Sequence, residues 1–251
     1  MRLRDKVALV TGGGSGIGAA SCYAFAREGA RVAVANRTPA KAETVARAIK
    51  AEGGRAISIG ADVSVGDDVR HMIDTTASEL GAPDIIFNNA GISPSGRVTD
   101  ISEADWDECI SIDLKSVFLT ARRAIPLMIE NGGGVILNTA GTFGIRAAKN
   151  KAAYSVAKAG VINLTRSIAL DYARDNVRCN AICPGYVDTP LNEDFPPKAR
   201  DVFLEQYQPL RGLIAAEDVA EMAVYLASDA AKMITGQVFV LDGGQQAGLY
   251  A

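Results

Sequence analysis

Histidine is nearly absent from this sequence of 251 residues, and long apolar runs are missing. His71 is the only histidine, which excludes a histidine-based metal site and a Ser-His-Asp triad. Only a short apolar run, 7–10, follows the charged N-terminus, too short for the apolar region of a signal peptide. No apolar run approaches the roughly 18 residues of a membrane-spanning helix. We therefore expect a cytoplasmic protein with no membrane segment.

The sequence also lacks an excess of positive charge and any paired spacing of cysteines. Its 26 basic and 29 acidic residues give a formal net charge of −3. The composition therefore lacks the excess of basic residues that is typical of nucleic-acid-binding proteins. Cys22, Cys109, Cys179 and Cys183 lie in apolar or helical contexts, and only the last two are close enough in sequence to suggest a metal pair. We interpret all four as reduced structural thiols and predict no metal site.

Short apolar segments alternate with longer helical segments through most of the chain. Since 48% of the residues are hydrophobic, the chain can bury a large core, which excludes disorder. Most strand candidates are continuous apolar runs, which is typical of parallel strands covered on both faces. Repeated βα units predict a parallel sheet with helices on both faces. The predicted strands are 7–10, 31–35, 55–59, 85–88, 135–138, 177–182 and 238–241, and the predicted helices are 16–28, 39–52, 65–80, 103–131, 151–175 and 217–228.

The alternation fails over residues 185–213, where four prolines interrupt any long helix. A segment of this length without firm structure in a compact domain is usually a lid or a binding loop. No linker, low-complexity tract or repeat divides the rest of the chain. We therefore predict one domain over residues 1–251, with a substrate-binding lid at 185–213.

A glycine-rich turn, Thr11 to Gly18, follows the first predicted strand and precedes a predicted helix. Glycine lets the backbone approach a pyrophosphate closely, and a helix N-terminus offers unpaired N–H groups and partial positive charge. A glycine motif alone is weak evidence, but here strand, turn and helix occur in the order that dinucleotide binding requires. We interpret this turn as a site for nucleotide phosphates.

The end of the second strand distinguishes between the two nicotinamide dinucleotides. NAD sites usually place a carboxylate there for the ribose 2′-hydroxyl, whereas a 2′-phosphate repels a carboxylate and needs a cation. This chain has Asn36 and Arg37 at that point and no carboxylate. The sequence therefore favours NADP(H) and leaves NAD(H) open. Arg37 has two other interpretations, since it could cover the adenine face or begin the next helix.

Tyr154 and Lys158 lie four residues apart at the start of a predicted helix, so both side chains share one helix face. An ammonium beside a phenol favours the phenolate, which predicts a phenol pKa lowered from about 10 towards neutrality. Tyr154 would then exchange a proton with a substrate oxygen. A tyrosine and a lysine at this spacing are common by chance, so the pair needs the support of other motifs.

Together these motifs resemble the short-chain dehydrogenase/reductase family, and the likeness runs almost end to end. The glycine turn matches TGxxxGxG, Asn88 to Gly91 matches NNAG, and Tyr154 to Lys158 matches YxxxK. Pro184-Gly185 matches the family's PG segment, and 242–244 resembles its DGG segment. The resemblance implies an α/β fold with a Rossmann-like, doubly wound parallel sheet of about seven strands, and a nicotinamide cofactor above the carboxyl ends of those strands.

The resemblance also implies a set of cofactor-binding residues. Lys158 would bind the nicotinamide ribose and tune Tyr154, and Ile17 would cover the pyrophosphate. Two of the assignments have structural alternatives, because Asp62 could cap the next helix and Thr189 could stabilise the turn beside Pro190. The cofactor-binding residues implied are Gly12, Ser15, Gly16, Ile17, Gly18, Asn36, Arg37, Asp62, Val63, Asn89, Ala90, Gly91, Tyr154, Lys158, Pro184, Gly185, Val187 and Thr189.

Two positions depart from the family pattern. Gly141 stands where the family usually has a substrate-orienting serine, thirteen residues before the catalytic tyrosine. Thr142 is adjacent, but successive side chains of extended backbone point to opposite sides, so it cannot replace that serine without a local shift. Asp113 stands where the family usually has asparagine, and its charge would favour a protonated Lys158 and oppose a Tyr154 phenolate. The predicted catalytic positions are Tyr154, Lys158, Asp113 and Gly141.

The leading interpretation is an oxidoreductase that transfers hydride between NADP(H) and a small ketone or secondary alcohol. The alternative is a catalytically weakened or regulatory dinucleotide-binding protein of the same fold, which the two departures favour. Similar proteins pair their two long helices across a two-fold axis, so we expect a homotetramer, with a dimer as the alternative and core packing within one subunit as a competing explanation. The predicted substrate-lining residues are Ser93, Thr142, Ile145, Arg146, Tyr186, Leu191 and Phe195, although Arg146 could instead be a solvated loop residue.

Overall fold

The computed structural model describes residues 1–193 and 195–248. Short buried strands alternate with longer helices along these residues, as the hydrophobic pattern predicts. The strands are β1 Val7–Thr11, β2 Arg31–Asn36, β3 Arg55–Gly60, β4 Ile85–Asn88, β5 Gly134–Thr139, β6 Val177–Pro184 and β7 Val238–Leu241. The α-helices of the described residues are α1 Gly16–Arg27, α2 Pro39–Ala51, α3 Gly66–Leu80, α4 Glu103–Ile110, α5 Ser116–Glu130, α6 Ala152–Tyr172, α7 Pro197–Tyr207 and α8 Ala216–Ala227.

The strands form one parallel sheet of seven in the order β3-β2-β1-β4-β5-β6-β7. The order reverses at β1, which has β2 on one side and β4 on the other. Ligands of open α/β sheets bind outside the carboxyl ends of the strands at such a switch point. The predicted fold, a Rossmann-like parallel sheet with helices on both faces, is confirmed, and it fixes the edge at which a site is expected.

Both faces of the sheet are covered by apolar packing. Alternate residues of β1 belong to opposite clusters, with Ala8 and Val10 in one and Val7 and Leu9 in the other. Helices α1, α2 and α8 contribute to the first cluster, and α3, α5 and α6 to the second. This explains why the strands are continuously apolar: a strand with helices above and below has no solvent face.

Two predicted segments differ from the structure. The single helix predicted over 103–131 is divided into α4 and α5 by a π-helical turn, Ser111–Lys115. The expectation that 185–213 lacks firm structure is wrong over α7, because Pro197 occupies its first turn, where a missing N–H and a fixed φ are tolerated. The prolines there delimit a helix of 11 residues instead of preventing one. None of the helices in the described residues is long and apolar enough to cross a membrane.

Candidate active site

The glycine turn joins β1 to α1 and leaves no room for larger residues. Gly12 and Gly16 have φ of 64° and 50°, a backbone conformation that side chains disfavour. A Cβ on Gly18 would lie 2.2 Å from the carbonyl oxygen of Gly12, and a Cβ on Gly16 would lie 3.0 Å from the methyl carbon of Thr189. The turn is therefore shaped for glycine, and the first N–H groups of α1 remain free to meet an anion.

Thr11, the last residue of β1, fixes the segment that follows β4. Its hydroxyl accepts hydrogen bonds from the backbone N–H groups of Asn89 and Ala90, at 3.0 and 3.2 Å. The side-chain amide of Asn89 donates to the carbonyl oxygen of Thr11 at 3.3 Å and accepts from the hydroxyl of Thr139 at 3.2 Å. The carboxyl ends of β1, β4 and β5 are thus tied together beneath the cleft.

Two cations and a carboxylate line the end of the cleft next to β2. Arg37 is exposed, and its guanidinium lies 3.9 Å from the carboxylate of Glu108, too far for a strong pair. Lys41, on the first turns of α2, lines the same end of the cleft. Asp62 also lines it, and hydrogen bonds from Ser64 lower the pKa of its carboxyl, with a further contribution from the charge of Arg37. Asp62 therefore both stabilises the turn before α3 and faces the cleft.

Lys158 lies buried on α6 and is held by two neighbours. Its ammonium lies 3.0 Å from the carboxylate of Asp113 and donates to the carbonyl oxygen of Thr139 at 3.0 Å. Only 4% of the Lys158 side chain and none of the Asp113 side chain is exposed, so solvent screens this ion pair little. Nζ lies 5.5 Å from the ring centroid of Tyr154, as the four-residue spacing predicts. The pair therefore couples the charge of Asp113 to the phenol.

The π-helical turn brings Asp113 to this position. Its second carboxylate oxygen accepts the backbone N–H of Ile92 at 2.8 Å, so the carboxylate bridges α6 and the segment after β4. A Cβ on Gly91 would lie 2.9 Å from the carboxylate and 3.4 Å from Nζ of Lys158, which explains the glycine at that position. Extra residues in a helical turn are common at functional sites.

The electrostatics of the phenol differ from the sequence-based prediction. Burial is the largest effect on Tyr154 and raises its pKa above the usual value, and the charge of Asp113 adds to this increase. Lys158 lowers the pKa of Tyr154, but less than burial raises it. Burial lowers the pKa of Lys158 itself, but attraction to Asp113 and Tyr154 outweighs burial and raises it. The predicted lowering of the Tyr154 pKa towards neutrality is therefore wrong: burial and Asp113 raise the pKa of the phenol, and Asp113 raises the pKa of Lys158.

Gly141 lies against the phenol but cannot interact with it through a side chain. A Cβ at this position would lie 3.3 Å from the hydroxyl oxygen of Tyr154. The backbone φ is 112°, a value that favours glycine, and the next residue begins a 3₁₀ turn. Thr142 is buried, and the described structure gives its hydroxyl no hydrogen bond to Tyr154. The orienting hydroxyl expected from the family pattern is missing, and its neighbour does not replace it.

The predicted substrate residues are spread around the cleft. Tyr186 and Phe195 pack against each other with ring centroids 5.8 Å apart, and the aromatic series continues to Phe203 on α7 at 6.1 Å. Phe143 packs edge-on against Tyr154 at 6.4 Å. The hydroxyl of Ser93 accepts a hydrogen bond from the ammonium of Lys151. Ile145 and Arg146 are exposed in the segment before α6. Leu191 is the member of the predicted set that lines the cleft.

The cleft brings most of the predicted cofactor residues together, in a volume of about 560 Å³. Its predicted members share an origin in the carboxyl ends of the strands and the loops that follow them. They are Gly12, Ser15, Gly16, Ile17, Asn36, Arg37, Asp62, Val63, Asn89, Ala90, Gly91, Asp113, Tyr154, Lys158, Thr189 and Leu191. The predicted residues outside its lining are Gly18, Ser93, Gly141, Thr142, Ile145, Arg146, Pro184, Gly185, Tyr186, Val187 and Phe195.

Several of the residues outside the lining lie behind it. Gly185 lies close to Asp242, because a Cβ there would meet its Cα at 3.0 Å, and Val187 is buried and pairs with Ile214. These contacts fix the backbone at the start of segment 185–213. Sequence reasoning missed further residues that line the cleft, namely Thr38, Lys41, Ala61, Ile92, Ile112, Thr139, Pro190 and Glu193. Of these, only Lys41 carried a usable signal, as a cation four residues after Arg37.

The arrangement fits a dinucleotide. The glycine turn offers a cradle that a Cβ would fill, two cations stand at the β2 end, and a phenol with a buried lysine stands at the α6 end. In the described residues no group of three or more His, Cys, Asp or Glu side chains could hold a metal ion. The site can therefore bind an anionic ligand along the strand ends and move a proton at Tyr154.

Comparison with known proteins covers nearly the whole chain. A protein-family model described as "Enoyl-(Acyl carrier protein) reductase" matches residues 12–246. Cis-4-hydroxycyclohexanecarboxylate dehydrogenase of Sinomonas cyclohexanicum is 40% identical over 97% of this chain and 97% of its own length. The 3-oxoacyl-(acyl-carrier-protein) reductase FabG of Thermotoga maritima is 35% identical over 97% of this chain and 99% of its own length. A solved short-chain type dehydrogenase/reductase from Mycobacterium marinum superposes with a TM-score of 0.93 at 35% identity, covering 98% of this chain and 97% of the other.

Proposed function

The chain belongs to the short-chain dehydrogenase/reductase family of oxidoreductases that act on CH–OH and C=O groups, and we propose that it interconverts a small ketone and a secondary alcohol with NADP(H), Tyr154 transferring the proton. The observation that carries this proposal is the shared cleft: the glycine cradle and the phenol of Tyr154 line the same volume. A screen of ketones and alcohols with both nicotinamide cofactors tests it, with cofactor oxidation or reduction as the signal.

The chain's own residues supply binding, orientation and proton transfer. Gly12, Ser15 and Gly16 would hold the pyrophosphate, and Asn89 to Gly91 would border the nicotinamide end. When bound, the nicotinamide gives or accepts the hydride. Tyr154 donates the proton of its phenol to the carbonyl oxygen during reduction and takes it back during oxidation. Lys158, held by Asp113, orients the phenol and stabilises its anionic form.

The preference for NADP(H) is supported by two cations beside the β2 end. Arg37 and Lys41 both line the cleft there, and Arg37 is bound only weakly to Glu108. A 2′-phosphate accepts charge-assisted hydrogen bonds from such groups, while a 2′-hydroxyl gains less from them. We therefore propose NADP(H) as the preferred cofactor.

We expect Arg37→Ser to raise KM for NADPH about tenfold or more, because a hydrogen bond to a charged group is lost, and to change KM for NADH much less. Adding Lys41→Ala should weaken NADPH further. Arg47→Ser is the matched control, since Arg47 is an exposed arginine that pairs with Glu43 further along α2. Steady-state kinetics with both cofactors measure the effect. A parent enzyme that prefers NADH, or equal losses for both cofactors in Arg37→Ser, would remove Arg37 from this role.

A second candidate function follows from Gly141. Without a hydroxyl beside the phenol, the site lacks one donor for the developing alkoxide, and loss of one such donor costs about 100- to 1000-fold in other enzymes. The alternative is therefore a weakened or regulatory dinucleotide-binding protein that has kept the fold. The charged Lys158 and the phenol beside it favour the enzyme instead.

Comparing Gly141→Ser with Gly141→Ala separates the effect of a hydroxyl on activity from the effect of backbone strain. Both variants add a Cβ at a φ of 112°, so both should lose stability to a similar extent. We expect the serine variant to exceed the alanine variant by about 100-fold in kcat/KM on a neutral ketone, because only serine restores a donor. Equal kcat/KM values in the two variants would show that no hydroxyl is missing at this position.

The substrate site is proposed to lie between the lid at 185–213 and the segment before α6. The aromatic rings of Tyr186 and Phe195, with Ile145, Leu191, Ser93 and Thr142, would form a wall suited to a compact organic carbonyl. Arg146 is exposed and available to an anionic group. The names of the relatives, a hydroxycyclohexanecarboxylate dehydrogenase and a 3-oxoacyl reductase, agree with a substrate that carries a hydroxyl or carbonyl group.

We also propose a homotetramer in the cytoplasm, with a dimer as the alternative assembly. Exposed apolar side chains on α5 and α6, including Phe118, Val156 and Leu170, offer one surface for self-association. Three exposed apolar side chains later in the chain, Tyr225, Met233 and Val240, are candidates for a second surface, and two distinct surfaces allow the closed symmetry of a tetramer. The four cysteines are buried and unpaired, which suits a reducing compartment. Light scattering of the purified protein distinguishes tetramer from dimer.

A further inference from the structure

Lys151 is a partly buried cation that the proposed chemistry does not use. It lies immediately before α6, and its ammonium donates to the backbone carbonyl oxygen and to the hydroxyl oxygen of Ser93, both at 2.8 Å. In the described part of the chain it forms no ion pair with a carboxylate, and burial lowers its pKa. A partly buried ammonium that is held by two neutral oxygens and by no carboxylate is a candidate site for an anionic ligand.

Lys151 lies about one helical turn before Tyr154 in the chain. Tyr154 and Lys158 share one face of α6, and Lys151, the residue before the helix, precedes Tyr154 by three residues. Lys158 contacts Asp113 and lines the cofactor cleft, whereas Lys151 lies one turn on the other side of Tyr154. At a rise of about 1.5 Å per residue, Lys151 starts about 4.5 Å from Tyr154 along the helix axis. A long side chain there can reach a group a few bonds away from a carbonyl bound at the phenol.

Lys151 and Ser93 retain hydrogen-bond donors for a ligand. An ammonium has three donors, and Ser93 takes two of them. The hydroxyl of Ser93 accepts from Lys151, so its own hydrogen remains to be donated. One N–H and one O–H side by side match the two oxygens of a carboxylate. Ser93 is held near the cleft by the backbone, because Ile92 lines it and donates to Asp113.

We propose that Lys151 and Ser93 bind a substrate carboxylate, so that the substrates are keto acids and the corresponding hydroxy acids. This inference rests on the proposed oxidoreductase function. This contact also compensates for the orienting hydroxyl that is missing at Gly141. A carboxylate bound at Lys151 would orient the carbonyl from the far end of the substrate. Binding energy from a non-reacting part of a substrate is a general way to position the reacting carbon.

The test compares keto acids with their neutral esters. The probes are acetoacetate, levulinate and their methyl esters, reduced by the purified enzyme with NADPH. We expect the parent enzyme to favour at least one acid over its ester, and Lys151→Met to raise KM for that acid about tenfold to a hundredfold, because a charge-assisted contact is lost. Lys151→Arg, which keeps the charge, should recover most of the loss, and Ser93→Ala should give a smaller increase.

Lys149→Met is the matched control, since it removes an exposed lysine from the same segment without touching Ser93. The inference is overturned if acid and ester are reduced equally well by the parent enzyme, or if Lys151→Met and Lys149→Met have the same KM for the acid. Because the esters report turnover without a carboxylate, an active enzyme that ignores the acid refutes only the role of Lys151. Failure to turn over any ketone or alcohol would refute the proposed function itself.

Discussion

Replacing Tyr154 by phenylalanine is expected to lower kcat for ketone reduction by about 100- to 10,000-fold, the usual contribution of a positioned general acid. Phenylalanine keeps the ring that packs against Phe143 and lies beside Lys158, so the loss isolates the hydroxyl. The raised pKa of Tyr154 means that the phenol holds its proton at neutral pH, which suits reduction. Oxidation of an alcohol needs the phenolate, so its rate should increase with pH in the parent enzyme and lose that dependence in Tyr154→Phe.

The control for this variant is binding of the cofactor. The glycine turn and the β2 cations, which would hold the phosphates, are unchanged in Tyr154→Phe, so the dissociation constant of NADPH, measured by fluorescence, should change little. Retention of the parent kcat with unchanged NADPH binding would contradict the role of Tyr154 and favour a different proton donor.

Replacing Lys158 by methionine is expected to destabilise the protein by about 3–5 kcal/mol, because it leaves the carboxylate of Asp113 buried without its partner. The two side chains are 4% and 0% exposed, so water compensates little for the loss. Urea-induced unfolding measures the change, and activity should fall as well, since Lys158 supports the phenol. Burial raises the pKa of Asp113, so this carboxyl should take up a proton in the variant and reduce the penalty.

The double variant Lys158→Met with Asp113→Asn is the matched control. It removes both charges and keeps an oxygen that can accept from Ile92, so it should recover much of the stability while activity stays low. Equal stability of the single and double variants would show that no net charge is left unpaired at this position. Recovery of activity in the double variant would instead show that Lys158 acts only through structure.

The strands and the phosphate turn were predictable because their causes are local. Continuous apolar runs such as 7–10 follow from burial on both faces, and the turn from Gly12 to Gly18 follows from the close approach of backbone to backbone. Helix α7 was missed because prolines were interpreted as breakers, although Pro197 is compatible with a first turn.

The remaining part of the site depends on contacts between segments distant in sequence. Ile92 and Ile112 enter the cleft because the sheet order and the π-helical turn bring them there, and neither carries a polar signal. The pKa of Tyr154 likewise depends on residues that the local sequence does not identify. The spacing of Tyr154 and Lys158 predicts a lowered pKa, whereas burial and Asp113, which depend on the whole fold, raise it.

The π-helical turn at Ser111–Lys115 constrains how this protein can be altered. Each residue advances an α-helix by about 100°, so converting this turn to regular α-helix would rotate Asp113 relative to α5. A redesign that straightened the segment for thermal stability would therefore separate the carboxylate from its lysine, even with every active-site side chain retained. Engineers should treat the length of this turn, as well as its sequence, as fixed.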